Sequence, residues 1–218
     1  MRRFLLPLAA LVVARPAAAD VDLVARLGSI WVTDRAFDLF STTDAIPSVQ
    51  IGAGWEGDGP LSFELVYGFS GSAATTFDVL ETRFFLHQFQ AAALYRVPFS
   101  PNWRAFGRGA AGFELAGVRI EDPRATVLGD TAPGLGLEGT AGIELRLPIS
   151  ASGNPWAASL GFTVEAGYGW RPIAASFDDA RVDRDGDAEP PPVRAGPVDV
   201  GDLDLSGPIL RFGGLLRF

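Results

Sequence analysis

The 218-residue sequence has no cysteine, a single methionine and a single histidine, His87. Without cysteine there is no disulfide scaffold, no thiolate-bound zinc and no thiol nucleophile. Charge is also scarce, at 20% of residues against 48% hydrophobic, which is too apolar for disorder and too lightly charged for an ordinary soluble surface. No window holds the roughly 18 consecutive apolar residues of a membrane-spanning helix, and this excludes a helical membrane protein despite a mean hydropathy of +0.20. What is plentiful is glycine, with 26 residues, and proline, with 16, a composition that favours turns and closely approaching strands over long helices.

Residues 1–19 have the three parts of a secretory signal: Arg2 and Arg3, the apolar run Phe4 to Ala14, and Ala17-Ala18-Ala19 before Asp20. The run is about half the length a bilayer-spanning helix needs, so cleavage is expected rather than anchoring. The mature domain is then 20–218, and loss of three arginines takes the net charge from −8 to −11. Every basic side chain is arginine, and so acidic a chain is not expected to bind nucleic acid.

Apolar residues recur with period two, the mark of strands with unlike faces. Leu61, Phe63, Leu65, Tyr67 and Phe69 alternate with Ser62, Glu64, Val66, Gly68 and Ser70. Similar alternation runs through 135–147 and 159–170. Counting such segments gives eight, at about 21–31, 48–55, 61–71, 82–97, 103–117, 135–147, 159–170 and 205–218. All but the second are at least as long as the roughly 9–11 residues of a tilted strand crossing hydrocarbon. The run Phe84-Phe85-Leu86 suggests a bulge in the fourth. Short connections after the second, fourth and sixth segments alternate with longer ones, including Ser72 to Glu81, the stretch between the fifth and sixth segments, and Arg171 to Asp204. That alternation is the outer-membrane pattern, with the short turns periplasmic. Trp31 and Trp170 fall at expected outer ends, and Trp55, Trp103 and Trp156 at inner ends, which predicts two interfacial aromatic belts.

The end of the chain, Arg211-Phe212-Gly213-Gly214-Leu215-Leu216-Arg217-Phe218, resembles the C-terminal strand signal read by the outer-membrane assembly machinery, with Arg211, Gly213, Leu216 and Phe218 at the signal positions. With the eight alternating segments and glycine-rich stretches such as 107–112 and 136–142, the mature chain resembles small outer-membrane barrels of the OmpA transmembrane-domain and OmpW-like kind. The resemblance implies an all-β, eight-stranded, antiparallel up-and-down transmembrane barrel in the bacterial outer membrane. Its partners would be outer-membrane lipid, lipopolysaccharide and, through the last strand, the assembly machinery.

An eight-stranded barrel has an interior its own side chains can fill. Expected inward positions include Glu64, Glu114, Glu138, Glu144 and Glu165, with Arg26, Arg96, Arg104, Arg108, Arg146, Arg211 and Arg217. Unpaired charges there would be costly, so Arg26, Glu64, Arg108, Glu138, Glu165 and Arg211 are expected to form an ionic cluster. The expected role is structural or surface-interacting with a plugged lumen. The alternatives are OmpW-like passage of small hydrophobic molecules through the barrel wall and a secreted lipocalin-like barrel with its apolar face inward. No enzyme, cofactor or metal is expected. His87 lacks the histidine-x-serine pair of lipid A acyl-chain enzymes, residue 89 being Phe, and is assigned to the lumen or rim as a hydrogen-bonding residue. Asp183-Arg184-Asp185-Gly186-Asp187 imitates a calcium loop, but its glycine falls one place early and Arg194 stands where a bidentate glutamate belongs.

Overall fold

The computed structural model describes residues 20–34, 37–38, 40–76, 80–122, 125–148, 159–173 and 203–218. The expected signal at 1–19, Trp156 and the acidic stretch at 178–189 lie outside the described residues. Alternation becomes strand throughout: β1 (Asp20–Trp31), β2 (Ala45–Glu56), β3 (Leu61–Thr76), β4 (Leu80–Pro98), β5 (Trp103–Asp122), β6 (Ala125–Pro148) and β7 (Ser159–Trp170). The two-residue strands β8 (Pro172–Ile173) and β9 (Leu203–Asp204) follow, then β10 (Gly207–Arg217). β8 and β9 pair only with each other, while the other eight form one closed antiparallel barrel in which each strand pairs with the next and β10 closes on β1.

The hydrogen-bonded row from Asp20 passes through Glu56, Ser62, Leu94, Arg108, Thr140, Gly167 and Ile209 and returns to β1 at Ile30, ten positions further along. A stagger of this kind tilts the strands, typically by roughly 35–45°. We call the end where β1 begins and β10 finishes the near end, and the opposite end the far end. Hydrogen bonds between Val21 and Phe218 extend the β1–β10 seam at the near end.

Two of the expected long connections are instead hairpins. β3 and β4 stay paired to Thr76↔Leu80, and β5 and β6 to Asp122↔Ala125, with a register shift at Ile120/Glu121. The fourth segment has unbroken register at 84–86, so Phe84 and Leu86 point inward and Phe85 outward without a bulge. Glycine and proline made the beginning of β6 resemble a loop. Its pairing with β7 starts only at Leu137↔Trp170, so Pro133 lies where β6 has one pairing neighbour, a position at which a missing N–H is tolerated.

The outward face is apolar. Leu27, Ile51, Phe63, Leu65, Phe89, Leu135, Ile143, Phe162 and Phe212 are exposed, whereas the alternate positions are buried. This faces arrangement is the reverse of a soluble β-barrel, whose strands turn hydrophobic side chains toward the centre.

Candidate functional site

Strand alternation delivers a column of charged side chains to the barrel interior. At the near end Arg217 forks onto Asp22 at 2.6 and 2.7 Å. Glu56 gathers Arg96 at 3.1 Å, Arg104 at 2.7 Å and Arg146 at 2.9 Å, as well as Arg217. Glu144 takes Arg96 at 3.1 Å and also Arg146. Arg96, 3.8 Å from Glu64, connects this layer to the next.

All six residues of the expected ionic cluster lie in that next layer and are joined in a closed ring of pairings. Arg26 meets Glu64 at 2.8 Å and Glu165 at 3.8 Å. Arg108 meets Glu64 at 3.6 Å and Glu138 at 3.2 Å. Arg211 grips both oxygens of Glu138 at 2.8 and 2.9 Å and reaches Glu165 at 3.3 Å, while Thr140 donates to Glu165 at 3.2 Å. The planar guanidinium fork suits this bidentate geometry, and pairing of this density offsets the cost of removing the charges from water.

Arg171 extends the network toward the far end. Fully buried, it donates to Glu114 at 3.0 Å and also pairs with Glu138, and its backbone N–H is held by the Ser206 hydroxyl at 2.8 Å. Room for it depends on glycine: a Cβ at Gly169 would run into the Arg171 guanidinium, and one at Gly136 into the Glu114 carboxylate. Sequence reasoning placed Arg171 at the start of a loop and passed over Asp22 and Glu56. Each lies on the inward phase of its strand: 165, 167, 169 and 171; 22, 24 and 26; 50, 52, 54 and 56. Continuing the alternation one residue past the assumed strand ends would have found Glu56 and Arg171, while Asp22 already lay on the inward phase inside the first segment.

Above the charges the interior becomes apolar, which the expectation of charged inward positions did not include. Ile30, Ile46, Phe84, Leu86, Ala116 and Val118 point inward from the strands, and Val32, Phe37, Phe40, Leu203 and Leu205 fold over them. Phe37 packs edge-on to Phe84 at 5.2 Å. The outward face is constrained by its exterior surroundings, whereas inward positions answer only to one another, and here they assemble an ordinary hydrophobic cluster.

Trp31 and Trp170 face outward at the far end, and Trp55 and Trp103 face outward near the other end, with Tyr95 and Phe218 beside them in level. His87 is not in the interior. It sits on the outward face of β4, receives or donates a 2.7 Å hydrogen bond with the Tyr67 hydroxyl, and has Phe69 and Phe85 at ring distances of 5.2 and 5.6 Å. Within the last strand, Arg211 is buried in the ionic column, Gly213 faces Arg26 and Thr163, and Leu216 and Phe218 lie on the outward phase.

These features define a closed eight-stranded antiparallel barrel with a charge-filled interior, a hydrophobic cap and an apolar outer wall. No protein-family model and no curated protein matches the sequence. Among solved structures, the chain is similar to Neisserial surface protein A (NspA), with 14% identity, a TM-score of 0.46, and coverage of 91% of this chain and 95% of that one. It is also similar to Ail, the attachment invasion locus protein of Yersinia pestis, solved in complex with the heparin analogue sucrose octasulfate. There the identity is 9%, the TM-score 0.45, and the coverage 92% of this chain and 97% of that one.

Proposed function

We propose that this chain is an exported bacterial outer-membrane barrel with a side-chain-plugged lumen and a structural or surface-interaction role, and not an enzyme. The observation that carries the reading is the inversion of faces: leucines and phenylalanines ring the outside while arginine and glutamate are sealed within. An apolar girdle bounded by tryptophans at two levels suits a bilayer, and β1, β2 and β7, at 12 residues each, are long enough to cross it when tilted. In this orientation the near end faces the periplasm and the far end the exterior. Lipopolysaccharide and outer-membrane lipid are then the surrounding partners, and the last strand addresses the assembly machinery.

The surface-interaction role draws support from β3 to β6, which run 16 to 24 residues and so stand well beyond the girdle at the far end. From Ala125 to Gly136, β6 has a strand partner on one side only among the described residues. A strand edge unpaired among the described residues is a surface on which an extended segment of another protein can add as a strand.

Membrane fractionation, combined with gel mobility of heated and unheated protein in detergent, tests location and closure. Recovery in the outer membrane with a compact, heat-sensitive band is expected; recovery in the soluble periplasm would favour the lipocalin-like alternative. Planar-bilayer recordings are expected to show no steady conductance. Solute uptake that depends on the protein would favour passage of small hydrophobic molecules, and a change in lipid A mass on expression would favour catalysis.

A further inference from the structure

One arc of the interior carries no charge. Ser48 and Gln50 on β2, Ser70 on β3, and Gln88 and Gln90 on β4 all point inward and are at most 3% exposed. Register makes them neighbours: Gln50 is opposite Gly68, Gly68 is opposite Gln88, and Ser48 is opposite Ser70. Gly68 lies at the centre of the group and lets the glutamines close in on it, since a Cβ there would be crowded by the Gln88 Oε1 at 2.9 Å and the Gln50 side chain at 3.4 Å.

The two serine hydroxyls, both amide atoms of Gln50, Oε1 of Gln88 and Nε2 of Gln90 have no hydrogen-bond partner among the described residues, and Arg26 Nη1 beside Gln50 has none either. Gln88 and Gln90 cannot simply rotate to correct this. Gln88 Nε2 is committed to Glu114 at 2.8 Å, and Gln90 Oε1 receives Arg108 at 3.4 Å. Buried polar groups in folded proteins are almost always satisfied, by protein or by ordered water. Among the described residues, seven of the twelve such atoms fall in this one patch, and the others belong to the charged side chains of the ionic column.

We infer that this arc is a closed internal site for a small cluster of water molecules bridging Ser48, Gln50, Ser70 and Gln88. The occupant must donate to hydroxyl and amide oxygens and accept from the Gln50, Gln90 and Arg26 N–H groups. Water does both; a bare cation accepts nothing, and a simple anion donates nothing. The hydrophobic cap lies above the patch and the ionic layer lies beside and below it, so water held there is cut off from both ends of the barrel. That isolation rests on the proposed reading of the lumen as plugged.

The test is proton NOE and ROE transfer from water to the side-chain amides of Gln50 and Gln90 and the backbone amide of Gly68, in isotope-labelled protein in lipid nanodiscs. Cross-peaks of opposite sign in the two experiments, the mark of water that tumbles with the protein, are expected. Their loss in Gly68→Ala, whose methyl enters the middle of the patch, is expected too, and cross-peaks unchanged by that substitution would overturn the placement. Cross-peaks of bulk-like sign would mean an interior open to solvent, overturning the plugged lumen and the closed site together. Absence of water transfer, with Ser48 bonded to Ser70 and Gln50 to Gln88, would overturn the site alone.

Discussion

The two halves of the barrel interior use the same strand alternation for opposite chemistry. In the near half, inward positions hold arginines and glutamates that share partners, so that Glu138 alone serves Arg108, Arg171 and Arg211. In the far half, the same phase of the same strands holds Ile30, Ile46, Leu86, Ala116 and Val118. An ionic interior is stable only while every member has its partner, because each loss leaves a buried charge behind; an apolar one loses stability in proportion to the volume removed. The lesson is that the near half is brittle and the far half graded.

The largest expected effect breaks the brittle half. Glu138→Leu leaves three arginines short of a carboxylate and should cost about 3–5 kcal/mol, read as a lower urea midpoint for refolding into bilayers. Next, Phe40→Ala in the cap should cost about 3 kcal/mol, the lower end for a buried phenylalanine because the cap can close in on the space, with faster amide exchange over Val32 and residues 40–46 and little change at Arg26 or Gly213. A smaller effect locates the boundary between the halves. Ser206→Ala removes the hydroxyl that holds the Arg171 N–H and should cost about 1 kcal/mol, with exchange rising at Arg171 itself. The smallest sharpens the contrast by using the same chemistry in water. Arg83 and Glu81 pair at 2.8 Å with about half of each side chain exposed, and Arg83→Ala should change stability by less than about 1 kcal/mol. Equal losses for Arg83→Ala and Glu138→Leu would contradict the distinction between paired charges inside and outside.

Strand number, phase and the near-half charges were legible because alternation reports which side chains share a face, whatever medium that face meets. Arg26, Glu64, Arg108, Glu138, Glu165 and Arg211 could be grouped from phase alone, but their bonding order depends on the stagger of ten, which no local pattern encodes. The cap was not legible. Phe37 and Phe40 lie outside the strands, and Phe84 in its run of three apolar residues gave no clear phase. His87 was misread for a related reason: a polar side chain at one outward position was taken as evidence for the interior, whereas Tyr67 satisfies it on the outer wall. The hairpin ends of β5 and β6 were hidden by glycine and proline, whose turn preference was overridden by pairing to a neighbour on one side.

The β1–β10 seam also bears on how the molecule assembles. Arg217 and Asp22, which meet across it, are 195 positions apart in sequence. Hairpins such as β4–β5 can zip from a nearby turn, but the final ladder must wait until two remote segments find each other, after most of the chain's freedom has already been surrendered. Until then both flanking strands carry raw edges, so the slow step in maturation should be ring closure, and a partly formed sheet is the species most exposed to mispairing or proteolysis.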